Sequence, residues 1–217
     1  MKQKVKLDIV SDVVCPWCYV GKRRLERAMA ELAEDMDFEI TYLPFELNPE
    51  MPLEGKNFKE HLTAKFGGAE KYERITENMK QVAFTEGLHF DFDKQATSPN
   101  TRSVHRIIWL AARYDLQEAV KEAFLHAYFI RGVDFTQSDR LIEIAAEAGL
   151  PAGKVRQLLD SDEGVAEVVR LEQLSYERGI SGVPFYIVNN QYGLSGAQPT
   201  ETFVRLFKKA CQEHREE

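Results

Sequence analysis

The chain has 217 residues, 44 % of them hydrophobic, and a formal charge of −7, enough apolar material for one large domain or a smaller one carrying an insertion. The acidic balance argues against nucleic acid and anionic membrane surfaces as main partners, and no apolar run reaches the roughly 18 residues of a membrane-spanning helix. Met1-Lys2-Gln3-Lys4 leads straight into a charged, alternating segment without the apolar stretch and small-residue cleavage pattern of a secretory signal, so the expected location is cytoplasmic.

From Lys4 to Ser11 the chain alternates as a strand, with Val5, Leu7 and Ile9 on one face and Lys6, Asp8 and Val10 on the other. Val13 and Val14 lead into Cys15-Pro16-Trp17-Cys18, and Val20, Leu25, Ala28, Met29 and Leu32 then space as one face of a helix expected over about Tyr19 to Met36. Phe38 to Phe45 alternates as a second strand. Strand, helix and strand in this length form a right-handed βαβ unit with parallel neighbouring strands.

From Leu47 to Gly179 the strand pattern disappears. Apolar faces at helical spacing follow one another: Tyr72, Ile75, Met79, Val82 and Ala83; Val104, Ile107, Ile108, Ala111 and Ala112; Val120, Ala123, Phe124, Ala127 and Tyr128; Leu141, Ile144, Ala145 and Ala148; Val155, Leu158 and Leu159; Val165, Val168, Val169 and Leu174. Alternation returns at Pro184 to Asn189, Asn189-Asn190 is a hairpin-turn candidate, Gln191 to Leu194 forms the returning strand, and a final helix begins at Gln198-Pro199-Thr200. The charged end, Gln212 to Glu217, is expected to fray. The fold class is therefore α/β: a βαβ–ββα core from residues 1–47 and 180–217, with an all-helical insertion at 48–179.

The C-x-x-C stretch carries the chemistry. Two thiols where a strand hands over to a helix N-terminus are set up for redox work, because the unpaired N–H groups and positive dipole end of the first turn favour a thiolate. A free cysteine has a pKa of about 8.5; in such motifs it falls to about 3.5–7. Pro16 has no N–H to lose and suits a helix start, and Trp17 is an apolar platform beside the sulfurs. The alternatives are half a zinc site or inert packing cysteines. Zinc wants four ligands at close spacing, whereas Cys211 is remote and His61, His89, His105, His126 and His214 are scattered. No metal is expected. Cys211, on an apolar helix face, reads as a packing thiol.

Together these stretches resemble a known family. Ser11 through Arg23 around the C-x-x-C, Pro44-Phe45-Glu46-Leu47-Asn48-Pro49, Asn100-Thr101-Arg102 with His105, Gly182-Val183-Pro184-Phe185 and Ser195-Gly196-Ala197-Gln198-Pro199 are similar to DsbA-family thiol–disulfide oxidoreductases, in particular the FrnE-like branch. The resemblance implies a thioredoxin-like fold, Cys15 as nucleophile, Cys18 as resolving thiol, and Pro184 as a cis proline facing the disulfide. It also implies that Ser195, Gly196, Ala197 and Gln198 lie near the active site. Read on its own residues, Val183-Pro184 is either an ordinary strand start or a tight turn that offers its backbone to an extended substrate alongside Pro16 and Trp17. The implied activity is disulfide exchange with protein or small-molecule thiols, with a redox recycling partner and no cofactor beyond glutathione as a co-substrate. The rival reading is a glutathione-dependent isomerase or transferase of the 2-hydroxychromene-2-carboxylate isomerase or kappa glutathione transferase type. Those resembling enzymes hold the glutathione thiolate with a serine where this chain has Cys15. A non-enzymatic binding module is the third.

Secondary candidates surround the motif. Lys22, Arg23 and Arg24 are either attractors of the thiolate or a solvated helix face. Asp8 and Glu46 are candidates for a buried carboxylate that takes the resolving thiol's proton, a role suited to an acid whose pKa is raised by desolvation. His105, Trp109 and Tyr128 read first as core residues, and Asn100-Thr101-Arg102 as a helix start.

Overall fold

A computed structural model describes residues 2–213. It gives a four-stranded sheet in the order β2-β1-β5-β6, built from β1 (Gln3–Ser11), β2 (Met36–Pro44), β5 (Phe185–Val188) and β6 (Tyr192–Ser195). β1 and β2 are parallel from Gln3 opposite Met36 to Ser11 opposite Pro44, joined by α1 (Pro16–Glu31). β5 runs antiparallel to β1, with Leu7 opposite Val188, and β6 antiparallel to β5. This is the thioredoxin-like βαβ–ββα arrangement, closed by α9 (Thr200–Glu213) packed along α1 and β1. The part of the expected frayed end at 214–217, His214 included, lies outside the described residues.

α1 starts earlier and stops earlier than its apolar spacing predicts. Pro16 occupies the first helical turn, and Leu32 is already the C-cap. Asp35 and Met36 hydrogen-bond back to Leu32 in a turn, and Met36 opens β2 opposite Gln3. Pairing with β1 decides the boundary that periodicity alone extended to Met36.

Between β2 and β5 the chain forms β3 (Lys56–Asn57), α2 (Phe58–Phe66), α3 (Ala69–Thr85), β4 (Thr97–Ser98), α4 (Arg102–Ala111), α5 (Gln117–His126), α6 (Ser138–Glu147), α7 (Ala152–Leu159) and α8 (Val165–Glu177). The sequence pattern missed α2, the β3–β4 pair and a π-helical turn in this region, and the strand pair departs from the all-helical insertion expected. β3 pairs antiparallel with β4 over two residues each, too short for any alternation to register. A π-helical turn, Ala127–Arg131, also continues α5 and ends at Gly132 in the left-handed region. α4, α5 and α8 pack on the β2 side of the sheet.

The main core is continuous: Val5, Leu7 and Ile9 of β1 belong to the same buried cluster as Val104 and Ile107 of α4 and Phe124 of α5. The opposite face of β1 is covered too, where Val10 packs with Phe45, Ile180 and Ile187. The alternation that puts Lys6 in solvent therefore gives way to burial on both faces towards the strand's C-terminal end, which delivers the chain to the C-x-x-C stretch.

Candidate active site

Cys15 is the N-cap residue of α1, with extended backbone (φ −91°, ψ 111°), and no side chain caps the helix. The cap position is thus left to the sulfur's own surroundings. Cys18, one turn on, donates its backbone N–H to the Cys15 carbonyl at 3.0 Å, and the two residues are not disulfide-bonded. The Val183–Pro184 peptide is cis. The Val183 carbonyl accepts from the Cys15 thiol at 3.6 Å, long but within reach for sulfur.

Both cysteines are only 4 % exposed, so access is decided by what adjoins them. Cys15, together with Val14, Pro16, Trp17 and Val183, forms one wall of a cavity of about 320 Å³. The rest of the lining comes largely from the helical region and is mainly apolar: Phe58, Leu62 and Phe66 of α2, Ile75 and Met79 of α3, and Tyr128 and Phe129, with His61, Lys65 and Thr76 among them. Trp17, 41 % exposed, and Ile75, 39 % exposed, stand at its rim. Cys18 does not reach this cavity; it faces inward.

Burial pushes the Cys18 thiol well above its ordinary pKa, and the neighbouring Cys15 sulfur pushes the same way. Lys121 of α5 pulls it back. The two sulfurs of one motif thus have different surroundings, one walling an open apolar cavity and one enclosed in the core.

Below them lies Asp12, fully buried. Its Oδ1 accepts from the Val13 N–H at 2.7 Å and lies 3.2 Å from His105 Nε2, while Oδ2 accepts from the Leu47 N–H at 2.9 Å. Burial opposes its charge, but His105, the backbone donor and Lys121 outweigh that and hold the carboxyl below the usual range. Asp12 therefore pins the turn before Cys15 to α4 and to the chain after β2. His105, expected as a core histidine, is 3 % exposed and orients this carboxylate.

The other sequence candidates are placed differently. Ser195 to Gln198 adjoin Pro184 but do not line the cavity. The Gly196 N–H donates to the Pro184 carbonyl at 2.8 Å, Gln198 Nε2 to the Ser195 carbonyl at 2.8 Å, and Arg24 Nη1 to the Ala197 carbonyl at 2.6 Å. Lys22, Arg23 and Arg24 are not a bare cationic face. Lys22 pairs with Glu26, Glu118 and Glu122; Arg23 with Glu26 and Glu122; Arg24 with Glu86. Their charge is largely cancelled before it reaches the sulfurs.

Neither carboxylate candidate lines the void beside Cys18. Asp8 points to the sheet face opposite Ile9. Glu46 Oε1 is bound by Arg102 Nε at 2.8 Å, and the Glu46 N–H donates to Glu172 Oε1 at 2.7 Å. Asn100 caps the start of α4 by accepting from the Arg102 N–H at 3.0 Å. Trp109 is half-buried under the Arg113 guanidinium, 4.2 Å from its ring centre. Cys211 is buried with its sulfur 3.8 Å from Met36 Sδ. Among the described residues no cluster of three or more metal-ligating side chains occurs, and no helix is long and apolar enough to cross a membrane.

Residues 6–208 match the model of the DSBA-like thioredoxin domain. The chain belongs to this DsbA-like family. Across the family's fold, a probable DsbA oxidoreductase from Streptomyces coelicolor superposes with a TM-score of 0.90 at 33 % identity, over 96 % of this chain and 91 % of that one. The cytosolic disulfide reductase DsbM from Pseudomonas aeruginosa, solved with glutathione, shares the fold at 16 % identity and a TM-score of 0.68, over 95 % of this chain and 99 % of that one. The curated Bacillus subtilis protein YwbO is 24 % identical over 203 residues, 93 % of this chain and 94 % of YwbO.

Proposed function

We propose that this chain is a thiol–disulfide oxidoreductase that uses Cys15 and Cys18 as a dithiol/disulfide pair. The observation that carries the reading is the placement of Cys15: at the open N-terminus of α1, walling the apolar cavity, with the Val183 carbonyl 3.6 Å from its sulfur. In the reducing direction the Cys15 thiolate attacks one sulfur of a substrate disulfide, forming a mixed disulfide and expelling one substrate thiolate. Cys18, as thiolate, then attacks Cys15 Sγ, forming the Cys15–Cys18 disulfide and releasing the second substrate thiolate. Two electrons pass from the dithiol to the substrate, and the oxidising direction is the reverse. Val183, held beside the sulfurs next to Pro184, offers backbone groups to the substrate, and Pro16 and Trp17 form the apolar lip against which the substrate lies.

The cavity's apolar lining favours disulfides flanked by apolar groups, on proteins or on small thiols. Glutathione is proposed as the co-substrate that recycles the pair, and the cytoplasm as the compartment. The helical stretch 48–179 is proposed as an insertion into the thioredoxin-like unit 1–47 and 180–217, supplying one wall of the cavity.

The test is an insulin-reduction assay paired with a scrambled-disulfide assay for isomerase activity. Cys15→Ser is expected to abolish turnover in whichever assay the parent is active, and Cys18→Ser to accumulate a mixed disulfide visible by intact-mass measurement. Activity untouched by Cys15→Ser would refute the assignment.

A further inference from the structure

The resolving step requires that Cys18 lose its proton inside the core, and burial makes that costly. Some group must take the proton there. The sheet offers no carboxylate: the positions facing Cys18 are Ile9 and Ser11, which wall a void of about 10 Å³ shared with Lys22, Tyr42, Lys121 and Tyr186. That is about the space one water needs.

Of the two lysines at this void, Lys22 is tied to three carboxylates. Lys121 is 2 % exposed, and no carboxylate lies within ion-pair distance of it among the described residues. The Tyr42 ring lies 5.9 Å from its Nζ. A buried lysine without a salt bridge is rare, because its charge has to be taken out of water uncompensated. It needs a reason to be there.

We propose that Lys121 is the proton carrier for Cys18. In its unprotonated form Nζ accepts the thiol proton, directly or through one water of the shared void, as Cys18 attacks Cys15 Sγ in the mixed disulfide. The resulting ammonium returns the proton to Cys18 when the Cys15–Cys18 disulfide is opened. The proposal rests on the dithiol reading and extends it to a residue from the helical region, which no feature of the C-x-x-C motif identifies.

The groups that set this balance come from every element around Nζ. Cys18 and Lys22 face it from α1 and Cys15 from its cap, Tyr42 from β2 and Tyr186 from β5. Asp12 acts on it from the turn after β1. His105 of α4 shares a second cavity with it, and Glu118 and Glu122 lie on its own helix, engaged by Lys22. Burial lowers the Lys121 pKa, against the pull of Cys18, Asp12 and Cys15, and Lys22 lowers it further. Burial raises Cys18. The two therefore approach each other, the condition for efficient proton transfer.

The test uses the full reduced chain and an aromatic disulfide, 5,5′-dithiobis(2-nitrobenzoate), in a stopped-flow experiment. The first nitrothiobenzoate released reports attack by Cys15, and the second reports closure by Cys18. Lys121→Met is expected to slow the second phase about 100-fold or more relative to the first and to shift the second phase's pH profile. Lys121→Arg keeps the positive charge but cannot give up a proton, and it is expected to leave the second phase equally slow. A second phase slowed no more than the first in Lys121→Met, or one restored by Lys121→Arg, overturns the proposal. If the substitutions prevent folding, the ¹⁵N resonance of Lys121 Nζ in the parent decides. It should pass between ammonium and amine over the range where the second phase accelerates; an ammonium shift fixed from about pH 5 to about pH 10 overturns the proposal. A parent that releases no second thiolate, or whose first phase survives Cys15→Ser, is instead a failure of the dithiol reading.

Discussion

Gly21 shows how closely the residues around the cysteines are fitted. It lies one turn past Cys18, where α1 crosses β5. A Cβ built there would collide with the Tyr186 hydroxyl and stand 3.3 Å from Pro184 Cγ and 3.4 Å from Ala197 Cβ. The tyrosine is 1 % exposed and has little freedom to retreat. Gly21→Ala is therefore expected to cost about 1–3 kcal/mol, read as a lower urea midpoint at unchanged slope. Because the added methyl presses on Pro184, the same variant should also exchange disulfides more slowly. A midpoint equal to the parent's would mean that Pro184 and its loop yield freely, and the role given to that loop would fall with it.

Among the elements, the β5–β6 hairpin turns on two consecutive asparagines, Asn189 and Asn190, both in the left-handed region at φ 51° and 56°. They are the central residues of the turn closed by the Gln191 N–H on the Val188 carbonyl at 3.0 Å, and two positive values there match the right-handed twist of the strands it joins. The two asparagines are not equivalent. Asn189 Oδ1 accepts from the Lys6 N–H at 3.0 Å, and the Asn189 N–H donates to the Lys6 carbonyl at 2.9 Å, extending the β1–β5 ladder. The Asn190 side chain makes no hydrogen bond among the described residues. Asn190→Gly is expected to stabilise the chain by a few tenths to about 1 kcal/mol, because glycine adopts this conformation without steric cost. Asn189→Gly should destabilise it by loss of the Lys6 contact. Equilibrium unfolding of the two variants side by side checks the opposite signs.

For the molecule as a whole, the link between the sheet and the helices is in part a buried carboxylate pair. Glu172 of α8 accepts from the Glu46 N–H after β2, and Glu46 is itself bound by Arg102 of α4. Burial, and then the negative charge of Glu46, push the Glu172 carboxyl up to about 7. In the unfolded chain it titrates near about 4.3. Between these values the native state holds a proton that the unfolded state has lost, so stability falls as pH rises through that window and stays lower above it. Glu172→Gln keeps an oxygen to accept from Glu46 and removes the titration. The variant is expected to gain on the parent by a few kcal/mol at most between about pH 5 and about pH 7, measured as the difference in melting temperature across a pH series. A constant difference over that range would show that Glu172 is already ionised in the native state.

The four strands, the hairpin turn and the position of Cys15 at a strand-to-helix junction were legible because each is a local pattern: alternation, paired asparagines, proline at a helix start. α1's end was not, since pairing of Met36 with Gln3, not helical periodicity, stops it. Asp12, Lys121, Glu172 and the cavity wall from α2 and α3 were not legible either. Each matters only through neighbours dozens of residues away, and a lysine on a helix face looks the same in sequence whether it points to solvent or into the core. The residues by themselves determined that two thiols would meet a helix N-terminus. Only the packing of helices onto the sheet decided that one thiol walls an apolar cavity while the other is enclosed beside a buried amine, because desolvation is a property of the assembled core.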